Sequence, residues 1–288
     1  MARRVFVDPQ LERVFRTEGW IVLDLLTPQD VTELLACYEG VRHVHEDGFT
    51  PTVLIEDLEV RARIDAAVRK VLAPRVLPVL DDYVMAVGSY AVKAAGSDYS
   101  NVGLHQDITF IDEREDDQVC LSIWCPLVPV DRENGCLGVV RGSHTLNSNF
   151  REPSSLPYRD LVDLIEAEFM HYLPMQPGEV LFMDSRLFHG SEANRTNQAR
   201  VVAAGVGVPR ESRLIYCHRD FEGDDSQLEI WEVPADFYVR HIVGTRPQEG
   251  TLRAVVPRQV APLTEEGLRE HMAAFTAAGA PAYGRMAR

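Results

Sequence analysis

The segment Gly103-Leu104-His105-Gln106-Asp107-Ile108-Thr109-Phe110 places an imidazole and a carboxylate two residues apart. On a strand, residues two apart share a face, so His105 and Asp107 would point the same way, with Gln106 on the other side or at the strand end. A second histidine lies in Leu187-Phe188-His189-Gly190-Ser191, just after the apolar stretch Val180-Leu181-Phe182-Met183-Asp184, so a neighbouring strand could carry it to the first pair. Two histidines and one carboxylate on one face form the ligand set of non-haem Fe(II) oxygenases, which keeps positions open for cosubstrate and dioxygen.

The triplet alone is a weak signal, because nine histidines and 44 acidic residues make chance matches common. Arg200 strengthens it by opening the apolar strand Val201-Val202-Ala203-Ala204. A guanidinium facing inward from a strand needs a partner, since an unpaired buried charge is costly. The far carboxylate of a dicarboxylate suits its bidentate fork. Ser191, two beyond His189, would put a hydroxyl on the same side as that carboxylate. The competing reading of Arg200 is a salt bridge to one of the many acids.

These residues need a β scaffold, and the pattern supplies one. From Tyr83 to about Cys217, short apolar or alternating segments broken by Gly, Pro, Asn and Asp predict an antiparallel sandwich or barrel. Strands are expected over Val84–Ala94, Leu104–Ile111, Val119–Val130, Cys136–Val140, Val180–Asp184 and Arg200–Val208, with one helix from Leu156 to Glu168. Before them, about residues 1–82 read mostly as helix. Asp8-Pro9 starts the first, Thr27-Pro28 the second, and a third runs from Glu56 to Leu72 until Pro74 ends it. After them, an extension over about 218–288 holds an acidic turn, the aromatics Trp231, Phe237 and Tyr238, and a final helix from Thr264 to Ala278. No repeat or linker divides the chain, so all 288 residues read as a single domain, mainly β with flanking helices.

Composition narrows the function classes. With 45% hydrophobic residues the chain can bury a substantial core, and 29 Lys+Arg against 44 Asp+Glu leave a net charge of −15. That balance is opposite to the basic footprint of nucleic-acid or anionic-membrane binding. Five cysteines without a C-x-x-C pair fit neither a disulfide framework nor a zinc ribbon, which points to a reducing, cytoplasmic setting. No secretory apolar region or membrane-length run is present. Only Lys70 and Lys93 are lysines. The run Asp112-Glu113-Arg114-Glu115-Asp116-Asp117 reads as a solvated loop, with a cavity rim that steers a cationic substrate as its sharper alternative.

Several motifs in fixed order make the chain resemble the phytanoyl-CoA dioxygenase family of Fe(II)/2-oxoglutarate oxygenases. They are Phe15-Arg16-Thr17-Glu18-Gly19-Trp20-Ile21-Val22-Leu23, the His105-Gln106-Asp107 triplet, Trp124, Glu133-Asn134-Gly135-Cys136-Leu137 leading to Gly142-Ser143-His144, and His189 with Arg200. The resemblance implies a double-stranded β-helix, or jelly roll. It also implies His105, Asp107 and His189 as iron ligands, and Arg200 and Ser191 as partners of the far carboxylate of 2-oxoglutarate. Trp124 would then be a wall of that pocket, and Gln106 and Lys93 candidates for cosubstrate contact. Two departures stand out: Arg141 occupies the position where the family often has proline, and Ala94-Ala95-Gly96 follows Lys93 in place of a Pro-Pro-Gly-like turn. Arg141, like Thr109, becomes a candidate for substrate contact.

The implied reaction couples oxidative decarboxylation of 2-oxoglutarate with O2 to oxidation of a C–H bond of a small organic metabolite, releasing succinate and CO2. Hydroxylation is the expected outcome, because related halogenases carry a small residue where Asp107 stands, and arginine in place of almost all lysine points to a biosynthetic pathway. Desaturation, ring closure and epimerisation use the same ligands. The substrate, and whether CoA or a carrier protein tethers it, is left open. The rival reading is a non-oxidative cupin-type jelly roll that binds another metal for isomerisation or ligand sensing. Arg200 speaks against it, since such a protein needs no dicarboxylate clamp.

Overall fold

Asp8 caps the first helix, α1 (Pro9–Glu18), by accepting from the backbone N–H groups of Gln10 and Leu11, with Pro9 in the first turn. A computed structural model of the chain describes residues 3–44, 47–114, 117–153, 158–220, 223, 225–259, 262–277 and 285–286. Helix α1 ends at Gly19 in the left-handed region (φ 80°), where a side chain would also strike the His144 ring. Strand β1 (Trp20–Asp24) follows, then α2 (Pro28–Glu39), which opens on a reciprocal capping box between Thr27 and Asp30. Next come β2 (Phe49–Pro51), α3 (Leu58–Val76), β3 (Tyr83–Lys93), β4 (Val102–His105), β5 (Leu121–Pro126) and β6 (Leu137–Val140). The chain continues through α4 (Val162–Glu168), β7 (Met170–Tyr172), β8 (Glu179–Asp184), β9 (His189–Ser191), β10 (Arg200–Pro209), β11 (Ile215–His218) and β12 (Gln227–Glu232). It closes with α5 (Phe237–Arg240), β13 (Thr251–Pro257), α6 (Glu265–Ala277) and β14 (Arg285–Met286).

Seven strands form the main sheet in the order β14-β1-β8-β5-β10-β3-β2, and β4-β9-β6-β7 form a second sheet across from it. Strands β11-β12-β13 make a third, smaller sheet. Alternation across the main sheet builds two cores. Ile21, Ile123, Phe182 and Val201 pack outward against α1, α2 and α3. Trp20, Trp124, Leu181 and Val202 pack inward, toward the second sheet. Burying a side chain of this size contributes roughly 1.5–3 kcal/mol. A one-residue slip of any central strand would therefore exchange the two cores and is strongly disfavoured.

Several boundaries differ from the sequence reading. The helical flank contributes β1 and β2 to the main sheet, and the C-terminal extension contributes β14 to that sheet and β12 and β13 to the third. Trp20–Leu23 is covered on both sides, so it has no period of two and reads simply as an apolar run. Helix α3 runs through Pro74 to Val76, because the buried Val71, Leu72 and Val76 hold its last turn in place despite one missing backbone donor. Helix α4 starts at Val162: Tyr158 has φ 55°, which no α-helix accommodates, and 154–157 lie outside the described residues. Strand β5 runs from Leu121 to Pro126, shorter than expected at both ends, although the Leu127 N–H still donates to the Val201 carbonyl at 3.0 Å. Most consequentially, the strand expected over Leu104–Ile111 ends at His105.

Candidate metal centre

His105 ends β4 and His189 opens β9, and they are register partners on these paired antiparallel strands, with ring centroids 4.1 Å apart. Each Nδ1 lies 2.9 Å from the carbonyl two residues earlier, Gly103 for His105 and Leu187 for His189. A carbonyl only accepts, so each Nδ1 carries a proton and each Nε2 is turned toward Asp107 as the atom that can face a metal. Asp107 Oδ1 stands 4.0 Å from Nε2 of His105 and 3.8 Å from Nε2 of His189, while Ser122 donates to Oδ2. The three donor atoms all lie within 4.8 Å of one another. Burial, followed by the neighbouring His189, pushes His105 down to about 4 against the opposing pull of Asp107. Burial works against the Asp107 charge, yet His189, His105, Ser122 and Arg151 outweigh it and keep the carboxyl below its usual range. Two imidazole Nε2 atoms and one carboxylate are a donor set suited to a divalent transition metal.

Asp107 reaches this point from a loop, not from strand alternation. Its N–H donates to the Ser185 carbonyl at 3.0 Å, and its own carbonyl accepts from Arg151 Nε at 2.7 Å. Arg151 is buried against Glu113, whose carboxylate also accepts from the Ser185 hydroxyl at 2.7 Å. Sequence reasoning missed this support, because its hydrogen bonds span 34 to 78 residues and share no local pattern. It also corrects two expectations. Glu113 is no solvated loop residue, and the rim reading of the acidic run finds no support in it; residues 115–116 lie outside the described residues. Thr109, expected near substrate, is 1% exposed, and its hydroxyl accepts from the Arg151 N–H at 2.9 Å, so it braces the loop away from the cavity.

Removing one partner of a buried ion pair costs about 3–5 kcal/mol. Arg151→Met should lower folding stability by that amount in urea titration and weaken Fe(II) binding with it. Adding Glu113→Leu should recover much of the stability. An unchanged urea midpoint in Arg151→Met would show that the pair is idle.

A cavity of about 410 Å³ lies between the two large sheets, and His105, Asp107, His189, Ser191, Trp124 and Arg200 all line it. Arg200 is 1% exposed; its Nη1 donates to the Gly135 carbonyl at 3.3 Å and its guanidinium carbon sits 5.3 Å from the Trp124 ring. Its Nε has no hydrogen-bond partner, and among the described residues no carboxylate pairs with it. The competing salt-bridge reading therefore fails. Gly135 (φ 80°) is required here, since a side chain would meet the Glu192 carbonyl at 2.3 Å.

Three other candidates are placed differently. Lys93, the register partner of Arg200, is fully buried and donates to the carbonyls of Ser100, Ser191 and Glu192 at 2.5, 3.0 and 2.6 Å. Burial and then Arg200 push it down to about 7, yet three pure acceptors around Nζ are matched by the three protons of an ammonium. Lys93 ties the β9 exit in place and does not face the cavity. Gln106 does line the cavity, but its amide is committed: Nε2 donates to the carbonyls of Asn147 and Arg186, and Oε1 accepts from Asn147 Nδ2 at 2.9 Å. Arg141 points elsewhere, donating at 2.7 and 2.8 Å to the buried Glu18 carboxylate, so it has no part in this cavity.

Two large antiparallel sheets enclosing such a cavity define a double-stranded β-helix, the fold of the 2-oxoglutarate-dependent oxygenases. The profile of the phytanoyl-CoA dioxygenase (PhyH) family matches residues 19–202, and the chain belongs to that family. The probable phytanoyl-CoA dioxygenase of Caenorhabditis elegans is 31% identical over 106 residues, covering 34% of this chain and 33% of that protein. The human peroxisomal phytanoyl-CoA dioxygenase is 28% identical over 115 residues, covering 37% and 33%. The match thus spans about a third of each relative's length. Among solved structures, the non-heme alpha ketoglutarate dependent epimerase SnoN from nogalamycin biosynthesis superposes with a TM-score of 0.52 at 19% identity, covering 90% of this chain and 98% of that one. EctD from S. alaskensis, solved with 2-oxoglutarate and 5-hydroxyectoine, gives 0.51 at 20% identity, covering 72% and 78%. At such identities the likeness establishes the fold. No helix among the described residues is long and apolar enough to cross a membrane.

Proposed function

We propose that this protein is an Fe(II)- and 2-oxoglutarate-dependent dioxygenase that hydroxylates a C–H bond of a small organic molecule. One observation carries the reading: a single cavity holds a His-Asp-His donor cluster and a buried guanidinium with no carboxylate partner among the described residues. A non-oxidative jelly roll would have no use for the second feature. Family membership and the 2-oxoglutarate in a solved protein of the same fold support it.

His105, Asp107 and His189 would hold the iron through two Nε2 atoms and Oδ1. Iron with dioxygen supplies the oxidising power, while 2-oxoglutarate gives up two electrons as it becomes succinate and CO2. Arg200 donates to the far carboxylate of the cosubstrate, Ser191 adds a hydroxyl, and Trp124 walls the pair off from water. Ser122 and Arg151 keep Asp107 aimed, so the carboxylate completes the donor set. A carboxylate at this position, where a halogenase has a small residue, favours hydroxylation over halogen transfer. All five cysteines are free thiols, which supports the reducing, cytoplasmic setting we propose.

Anaerobic addition of Fe(II) and 2-oxoglutarate should give a visible metal-to-ligand charge-transfer band, and exposure to air should then yield succinate. If neither appears at saturating Fe(II), the proposal fails.

A further inference from the structure

Ser89 and Val87 of β3 pair with Ala204 and Val206 of β10, and all four line the cavity. Arg200 stands four residues before Ala204 on β10, roughly 13 Å at the rise of a strand. In the other direction Val87 and Val206 pack with Phe110 and Tyr238, whose rings lie 4.3 Å apart. Ser89 is thus a single polar residue in an apolar strip that leads from the Arg200 end to the aromatic end. Ser89 and Ala204 lie in the interior of long strands yet are only half-buried, because the cavity opens in front of them.

The other polar side chains of this lining have work elsewhere. Ser122 donates to Asp107, Gln106 is held by Asn147 and Arg186, and the Tyr238 hydroxyl turns away to donate to the Ile215 carbonyl. Glu152 is ion-paired with Arg219 and Arg258. The reading above gives Arg200, Ser191 and Trp124 to the cosubstrate. Ser89 has no such partner: its hydroxyl makes no hydrogen bond among the described residues, and its neighbours on that face, Val87, Ala91 and Ala204, carry no polar side-chain atom. A hydroxyl set among apolar walls is costly unless something entering the cavity pairs with it.

We propose that Ser89 determines specificity by taking the one polar group, a hydroxyl or carbonyl, of a compact and otherwise apolar substrate. The carbon skeleton lies against Val87, Val206, Phe110 and Tyr238. A serine hydroxyl both donates and accepts, so it serves either group. Leu54, 50% exposed and part of the same lining, continues the apolar surface to the outside and gives such a skeleton a way in. A cavity of about 410 Å³ is at the small end of ligand sites, which keeps the substrate compact. The proposal rests on the dioxygenase reading for where oxidation falls, but the binding claim needs no metal.

Two probes of the same ring and similar size, 2-naphthol and 2-methylnaphthalene, separate a hydrogen bond from packing. Each is held at low concentration with excess 2-oxoglutarate, and its fluorescence is followed as protein is added. Ser89→Ala should weaken 2-naphthol binding about three- to tenfold relative to 2-methylnaphthalene, the loss of one neutral hydrogen bond. Ser89→Cys, whose thiol is a weak hydrogen-bonding group, should shift the ratio the same way and serves if Ser89→Ala does not fold. An equal change for both probes would make Ser89 a packing residue and overturn the proposal. So would an unmodified protein that binds neither probe. A normal charge-transfer band without the shift in ratio would overturn this proposal alone. A shifted ratio without the band would overturn only the catalytic reading.

Discussion

His189→Ala should abolish the charge-transfer band and all succinate formation. His189 is 4% exposed, its Nδ1 is fixed by the Leu187 carbonyl, and its Nε2 lies 3.8 Å from Asp107 Oδ1, so the imidazole is pre-aimed before any metal arrives. Losing a mere outer hydrogen-bond partner of a metal ligand costs about 10–100-fold in metal affinity. Losing one of three ligands should exceed that, because two protein donors hold a transition metal poorly. Fe(II) or Co(II) titration followed by the visible band gives the affinity, and circular dichroism checks that the variant is folded. A folded His189→Ala protein with an undiminished band would remove this residue from the centre.

Arg200→Lys should raise the 2-oxoglutarate concentration needed for the band by about 30-fold or more, taking roughly 2–5 kcal/mol for one buried charged contact and 1.4 kcal/mol per factor of ten. Burial pushes the Arg200 guanidinium down to about 9, which leaves it charged at neutral pH. That desolvated charge is already in place for an anion. Lysine keeps the charge but not the planar fork, and it would stand directly across the ladder from Lys93. Fe(II) affinity measured without 2-oxoglutarate should stay near that of the unmodified protein, which separates the clamp from the metal centre. Unchanged 2-oxoglutarate dependence would make Arg200 structural.

Legibility differed from residue to residue. The convergence of His105, Asp107 and His189 could be read because apolar strands flank both histidines, although the reading had Asp107 on the strand itself. Arg200 stood out as a charge at the head of an apolar run. Arg141 and Thr109 misled for one reason: side-chain direction there is settled by partners far away in sequence, Glu18 and Arg151. Lys93 was conspicuous by rarity, but composition carries no information on which of its neighbours are carbonyls.

The sequence by itself determined what local physics controls. The caps at Asp8 and Thr27 and the long strands β3 and β10 follow from neighbours within a few residues, and the donor types of the candidate metal centre stand in the chain itself. Only the tertiary structure decided the rest. Strand β1 joins the main sheet because both its faces are buried, which erases the alternation that would have announced it. Asp107 is aimed by Arg151, Glu113 and Ser185, and Glu152 reaches the cavity from the segment that carries Arg151. Ion pairs and hydrogen bonds between distant segments leave no period in the chain, so they appear only once the sheets have brought those segments together.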